Sequence, residues 1–397
     1  MKTHFYTFQN CNFATLYFEI RKMIDSIFAN LHRKIIFPNW LIKWLKIGMI
    51  ILFIFIFLVA IELLGESMQW ISKEDFQHHL SAINNPFVGL FIGLLIAALL
   101  QSSSAVTSLT VAFVASGTLS LTNAIPVVMG ANIGTTITCI IIALGHITSK
   151  KEFKRAIAVA LTHNLFNIFI ALILFPLEYI TNILSKTASF LAHVLTFKFN
   201  LGHIDLLDLT ILPIAKRLAG LATYSLFLPI GLAIILILIS IRAFSKISQQ
   251  LISPTESKLE SLIFGTPFKA LVSGTLITAA IRSSSVTTSL VIPLVAANRL
   301  SILNAFCFIM GANIGTTVTA LLAALSKSEI ALSIALVHLL FNLFGVILFF
   351  PLPFMRNIVI WCAKKLGTWS FEYRLIGFIY LLLIFFLLPF LLILLTK

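Results

Sequence analysis

The chain contains the stretch PFVGLFIGLLIAALLQSSSAVTSL at residues 86–109 and repeats it, 181 positions further on, as PFKALVSGTLITAAIRSSSVTTSL at residues 267–290. The match continues without a gap to Ala143 and Ala324, and 29 of the 58 paired positions are identical. Chance similarity between apolar helices would pair Leu with Ile, whereas here Ser, Asn and Gly are paired as well. The sequence therefore predicts two copies of one structural unit.

After a loop that is six residues shorter in the second copy, the match resumes at polar positions. It pairs His163 with His338 and Asn167 with Asn342. Within each copy the His and the Asn are four residues apart and lie on one face of a helix. We expect these side chains to form hydrogen bonds between helices rather than to bind an ion.

Composition places the chain in a membrane. Of its 397 residues, 59% are hydrophobic and only 11% are charged, which is too apolar for a single water-soluble core. Seven apolar runs approach or exceed the roughly 18 to 20 residues that cross a bilayer. They are 47–64, 124–144, 156–177, 221–241, 305–325, 330–351 and 375–395. We therefore expect an all-α polytopic membrane protein with at least seven spans.

The basic residues indicate how the spans are oriented. The 28 Lys and Arg exceed the 14 Asp and Glu, but they lie in short loops beside apolar runs rather than in a groove for nucleic acid. The positive-inside rule places residues 1–46, 150–155 and 242–269 in the cytoplasm and the acidic stretch 66–75 outside. On this count the two copies enter the membrane from opposite sides. Such inverted repeats are a recurrent build of secondary transporters.

The repeat and the spans divide the chain into six segments. They are a cytoplasmic N-terminal segment that is either an amphipathic surface helix or a flexible tail (1–46), a first transmembrane helix with an external linker (47–85), a first transport repeat (86–178), a linker with a transmembrane helix (179–266), a second transport repeat (267–354) and a C-terminal transmembrane helix (355–397).

Each copy carries three consecutive serines at the same distance from its first proline. About fifteen apolar residues follow Pro86 and Pro267, enough to reach the middle of the bilayer but not to cross it. Each copy should therefore open with a re-entrant hairpin that has its serines at the tip. Hydroxyls can donate to an oxyanion or accept around a hard cation, and a helix that starts at the tip favours an anion. The alternative is that the serines only hold helices together, and their presence in both copies favours binding.

The motif MGANIGTT lies in the middle of a predicted span in each copy, at residues 129–136 and 310–317. Its Gly, Asn and Thr residues are expected to break the helix in both copies. Carbonyl groups freed at membrane depth suit sodium. The alternative is that glycine lets helices approach closely, and Asn132 and Asn313 argue against it.

Several kinds of chemistry are disfavoured by what the sequence lacks. No Asp or Glu occurs over residues 76–151 or 261–328, so the cores of both copies lack the carboxylates of acid–base catalysis or a proton relay. There is no Walker A motif and no G-x-S-x-G motif. Four scattered cysteines predict neither a disulfide framework nor a metal site. The sequence thus argues against an ATP-driven pump or a serine hydrolase and predicts no cofactor.

Taken together, QSSS followed by GANIGTT in one half, and a second SSS with GANIGTT in the other, resemble the type II sodium–phosphate cotransporter family over residues 86–350. The resemblance implies sodium-coupled symport of inorganic phosphate across the cell membrane by alternating access, with Na+ as the coupling ion. It implies phosphate binding by Gln101, Ser102, Ser103, Ser104, Ser283, Ser284 and Ser285. It implies sodium binding by Asn132, Thr135, Asn313 and Thr316.

Two features depart from the family pattern. Bacterial relatives often carry a domain similar to the phosphate-signalling regulator PhoU, and this chain, ending on an apolar span, is expected to lack one. Arg282 stands where the family usually has a second Gln. A lone arginine at mid-membrane costs at least about 2.5 to 3.5 kcal/mol, so we expect Arg282 to bind the anionic substrate. Alternatively it pairs with a distant acid such as Glu62 or lies in a wet vestibule.

Two other functions stay open on the residues alone. The same fold could carry another small anion, or the chain could be a membrane enzyme that acts on phosphorylated lipid through a serine and His163 or His338. The expected partners are inorganic phosphate, sodium ions and the lipid bilayer, without nucleic acid. The sequence does not specify an oligomeric state.

Overall fold

The computed structural model describes residues 39–68, 85–199, 205–225, 227–252, 262–324, 327–372 and 374–395. The N-terminal segment, for which a surface helix or a tail is predicted, lies almost wholly outside these ranges. The chain divides into two compact units, Met1–Ile51 and Leu52–Lys397, and all contacts given below are within the second unit. The secondary structure over the described ranges is helical throughout, as predicted.

The helices follow the order of the predicted segments. The first helix and the first repeat comprise α1 (Asn39–Met68), α2 (Pro86–Leu100), α3 (Ser103–Ala115), α4 (Leu121–Gly134), α5 (Ile137–Leu144) and α6 (Lys150–Thr181). The linker comprises α7 (Ile183–Phe199), α8 (Asp205–Ala219), a 3-10 turn (Gly220–Thr223) and α9 (Phe227–Ile252). The second repeat and the C-terminal region comprise α10 (Pro267–Ile281), α11 (Ser284–Ala296), α12 (Ile302–Ala324), α13 (Glu329–Phe349), α14 (Pro353–Glu372), α15 (Arg374–Leu382), a π-helical turn (Leu383–Leu387) and α16 (Leu388–Leu395).

Six helical segments in the described part of the chain are long and apolar enough to cross a membrane. They are Trp40–Leu64, Leu121–Leu144, Lys150–Thr181, Ile302–Ala324, Glu329–Phe349 and Gly377–Leu395. The count covers the described residues alone, so the expected minimum of seven stays a prediction. The seventh predicted run, 221–241, begins in the 3-10 turn and continues into α9, whose searched apolar part is Phe227–Ser240.

Each repeat opens with a helical hairpin made of two short helices. Asn85 and Thr266 cap the first helices, which have Pro at their first turn and are 15 residues long in both repeats. At about 1.5 Å per residue such a helix extends roughly 22 Å, less than the bilayer core. Gln101 and Arg282 then turn the chain in the left-handed conformation, at φ 54° and 55°. The hairpins therefore have the length and the tip that were predicted for re-entrant segments.

The glycines of the MGANIGTT motif bring the first hairpin helix against the core helix of the same repeat. A Cβ added to Gly130 would lie 1.8 Å from the carbonyl oxygen of Leu90, and one added to Gly311 would lie 1.9 Å from that of Leu271. No side chain fits at either position without separating the backbones. These glycines therefore let the two helices approach closely. This is the alternative that the sequence analysis had argued against.

The predicted break of the motif helix occurs in the first repeat and not in the second. α4 ends at Gly134 and α5 begins at Ile137, whereas α12 continues unbroken through its motif. Even in the first repeat, Thr135 and Thr136 keep helical angles, so the interruption is a tightened turn rather than unwound chain. In α12, Thr316 donates to the carbonyl of Ala312 (3.0 Å), a hydroxyl bond that is compatible with a continuous helix.

The helix α6 contacts the two hairpins at its opposite ends. Near its C-terminal end, Phe175 packs edge-on against Phe87 at the start of the first hairpin, with ring centroids 4.9 Å apart. Near its N-terminal end, Arg155 donates to the carbonyl of Ala296 at the end of the second hairpin (3.2 Å). The two hairpins therefore reach α6 from opposite directions.

Candidate substrate and cation site

The serines at the hairpin tips begin the return helices α3 and α11. Ser102 accepts a hydrogen bond from the amide of Ala105 (3.1 Å), and Ser283 accepts one from the amide of Val286 (3.4 Å). Both are N-caps in extended conformation. Because a hydroxyl that accepts a capping bond keeps its own hydrogen, each can still donate to an anion at the helix N-terminus.

The two tips meet. Ser285, on the second hairpin, donates to the carbonyl oxygen of Gln101 at the first tip (3.1 Å), and its hydroxyl lies 3.4 Å from that of Thr135. Three predicted site residues from separate parts of the chain are thus gathered around one point. Their oxygen atoms form a set suited to a hard cation.

The remaining tip residues differ in exposure. Ser103, Ser104 and Ser284 are buried, Arg282 is half-buried and Gln101 is exposed. The carbonyl of Arg282 accepts a bond from the Thr319 hydroxyl (3.4 Å), which ties the second tip to α12. The tips therefore combine buried hydroxyls with one cationic side chain.

Glu62, considered as a partner for Arg282, has another partner. Its carboxylate forms an ion pair with Lys327, in the loop between α12 and α13. The Glu62 carboxylate is thus engaged by Lys327, and the alternative in which Arg282 pairs with a distant acid stays a prediction.

Asn132 and Asn313 take part in a reciprocal arrangement between the repeats. His338 Nε2 lies 3.1 Å from the side-chain oxygen of Asn132, and His163 Nε2 lies 2.9 Å from that of Asn313. Asn313 also donates to the side-chain oxygen of Asn167 (3.1 Å), which lies on the same face of α6 as His163. We call this arrangement the His–Asn clasp. It agrees with the hydrogen-bonding role expected for the His and Asn pairs.

Three residues near the site were missed from the sequence. The Cys139 sulfur lies 3.3 Å from His163 Nδ1 and 3.2 Å from the Thr288 hydroxyl. These two contacts join α5, α6 and α11. Asn164 and Tyr380 form a second polar chain with the interrupted helix. Of these, only Asn164 had a visible signal, as a polar residue next to His163 in a run of apolar ones.

The fold and this site define an all-α, multi-pass membrane protein in which two matched hairpins bring serine-rich helix N-termini together inside a helical core. Residues 56–201 and 236–357 match the family model described as Na+/Pi-cotransporter. The chain belongs to this family, so the resemblance noted from its motifs is confirmed.

Named relatives agree with the family match. The chain is 32% identical over 429 residues to sodium-dependent phosphate transport protein 2A of Mus musculus, an alignment covering 87% of this chain and 67% of that protein. It is 29% identical over 445 residues to sodium-dependent phosphate transport protein 2B of Homo sapiens, with coverage of 86% and 64%. No solved structure matches the chain.

Proposed function

We propose that this protein is a secondary active transporter that carries inorganic phosphate across the cell membrane together with sodium ions. Its family and the names of its relatives support this function. The observation that carries it is the meeting of the two tips, where Ser285 contacts Gln101 and Thr135. The family is one of cotransporters rather than enzymes.

Phosphate binds, in this proposal, between the N-termini of α3 and α11. The ligands are Gln101, Ser102, Ser103, Ser104, Arg282, Ser283, Ser284 and Ser285. Hydroxyl and backbone donors at a helix N-terminus suit an oxyanion, and Arg282 adds a full positive charge beside them.

Sodium binds among the oxygens of the motif helices, with Asn132, Thr135, Asn313 and Thr316 as the candidates. Of these, Thr135 is favoured because it lies next to Ser285 and the Gln101 carbonyl. The side-chain oxygens of Asn132 and Asn313 face nitrogen atoms of the His–Asn clasp. Sodium binding through the Asn132 oxygen, which lies within hydrogen-bond distance of nitrogens of both His338 and Asn342, would therefore require the clasp to open.

The coupling follows from the electrical work. Moving divalent phosphate into a cell held at 100 mV, negative inside, costs about 4.6 kcal/mol, since each charge contributes about 2.3. Two sodium ions cancel this cost, and a third makes the electrical work favourable to uptake.

Phosphate uptake into proteoliposomes tests the function directly. We expect uptake of radiolabelled phosphate to follow an inward sodium gradient and to fall to background when potassium replaces sodium. Excess unlabelled phosphate should compete, whereas sulfate and small carboxylates should not. Uptake of another anion in preference to phosphate would contradict the assigned substrate, and sodium-independent uptake would contradict the coupling.

We further propose that the two repeats are inverted in the membrane. In this proposal the site between them opens alternately to the outside and to the cytoplasm. The contacts of α6 with the first hairpin at one end and the second hairpin at the other support this arrangement. Ile170 and Gly345 occupy equivalent positions in the repeats and touch each other, which suits a pseudo-twofold axis between them. One set of helices used in both orientations can open to either side.

The inverted arrangement predicts opposite accessibility of two equivalent residues. Ser120 and Ser301 are exposed N-caps of α4 and α12. In a cysteine-free background, Ser120→Cys should react with a membrane-impermeant thiol reagent on intact cells, and Ser301→Cys should react only after permeabilisation. Labelling of both from the same side would rule the arrangement out.

A further inference from the structure

A chain of buried hydrogen bonds runs from the last membrane helix to the interruption in the first repeat. The Tyr380 hydroxyl donates to the side-chain oxygen of Asn164 (2.5 Å), and Asn164 donates to the Thr136 hydroxyl (2.7 Å). That hydroxyl donates in turn to the carbonyl of Ile133 (2.7 Å). Each donor along the chain has a matching acceptor, and the chain ends on the backbone of α4.

This chain reaches the helix at its interruption. The amides of Thr136, Thr138 and Cys139 donate to carbonyls three residues earlier, which tightens the helix locally into a 3-10 turn. Thr135, which faces Ser285, lies in this turn. The position of Thr135 therefore depends on the turn that Asn164 contacts directly and that Tyr380 reaches through Asn164.

The described residues of the second repeat show neither such a chain of hydrogen bonds nor an interruption of the motif helix. Thr317 matches Thr136 and makes the same bond to its own helix, from its hydroxyl to the carbonyl of Ile314 (2.7 Å), yet α12 is continuous. The position equivalent to Asn164 is Leu339. The shared motif thus does not interrupt the helix by itself, and the contacts from Asn164 and Tyr380 distinguish the repeat in which the interruption occurs.

We propose that Asn164 and Tyr380 are positioning residues for a sodium site in the first repeat only. They act through Thr136 to hold the turn in which Thr135 meets Ser285 and the Gln101 carbonyl. No equivalent pair of residues contacts Thr317 in the described part of the second repeat, where Thr316 donates to the backbone of its own helix. This inference rests on the proposed sodium coupling and adds an asymmetry between the two repeats.

Sodium dependence of uptake in Tyr380→Phe tests the inference, because this change removes one hydroxyl and keeps the ring. Losing one hydrogen bond of ordinary strength corresponds to a factor of about two to ten. We expect the half-saturating sodium concentration to rise by about that factor, with the half-saturating phosphate concentration at saturating sodium unchanged. Asn164→Leu, which installs the residue of the second repeat, should act in the same direction. Tyr179→Phe, at an exposed tyrosine, is the matched control and should match the parent.

A double variant separates positioning from general loss of stability. If Tyr380 acts through Thr135, adding Tyr380→Phe to Thr135→Val should cause no further rise in half-saturating sodium. Additive effects, or a sodium curve for Tyr380→Phe that superimposes on the parent's, would overturn the inference.

The proposed function and the positioning role can fail separately. A parent protein without sodium-dependent uptake would contradict the function itself. In that case the sodium-induced rise in melting temperature of purified protein tests the site alone. A rise that is reduced in Tyr380→Phe and not in Tyr179→Phe supports the positioning role, and equal rises overturn it.

Discussion

Replacing Ser103 or Ser284 by alanine is expected to abolish phosphate uptake while the protein still reaches the membrane. These serines are the first residues of α3 and α11, and both are buried, with 2% and 4% of their surface exposed. A phosphate taken out of water between the tips would lose a donor that bulk water cannot replace. A lost hydrogen bond to a charged group costs about 1.5 to 3 kcal/mol, or roughly tenfold and more in affinity for each serine.

Ser289→Ala provides a matched control for these variants. Ser289 lies on the same helix as Ser284, but its hydroxyl donates to the carbonyl of Val286 in its own helix (2.6 Å). This variant should transport like the parent. Normal uptake in both Ser103→Ala and Ser284→Ala would contradict phosphate binding by these serines and indicate a role in helix packing. Surface labelling would distinguish a loss of transport from a loss of protein at the membrane.

Replacing Arg282 by glutamine is expected to weaken phosphate binding about tenfold or more and to make uptake depend more steeply on sodium. Arg282 is half-buried at the second tip, one residue before the serines. We propose that its guanidinium binds phosphate and replaces the charge of one sodium ion. Gln101 occupies the equivalent position with nearly the same φ, so glutamine fits this backbone and the substitution removes mainly the charge.

Uptake measured against sodium concentration, at several phosphate concentrations, checks this prediction. Lys269→Gln is the matched control, because Lys269 is exposed near the start of the same hairpin and its loss changes net charge equally. If the Arg282→Gln curves superimpose on the parent's, Arg282 lies outside the phosphate site. An equal effect of Lys269→Gln would indicate a general electrostatic effect rather than direct binding.

Local signals in the sequence specify the hairpins closely. Pro86 and Pro267 at the helix starts, Asn85 and Thr266 as caps, and serine caps after each tip are all residue types whose preferences act within a few positions. The meeting of Ser285 with Gln101 was not visible in the same way, because it joins residues 184 positions apart. The repeat indicated which residues belong to the site, and packing decided which of them touch.

The sequence by itself determined the membrane class, the all-helical fold, the two hairpins and the family, because hydropathy, caps and motif identity are properties of short segments. Only the tertiary structure decided what the motif helices do. GANIGTT is identical in both repeats, yet the helix is interrupted in one and continuous in the other. The local sequence could not determine this difference, because the contacts that accompany the interruption come from Asn164 on α6 and from Tyr380 on the last membrane helix.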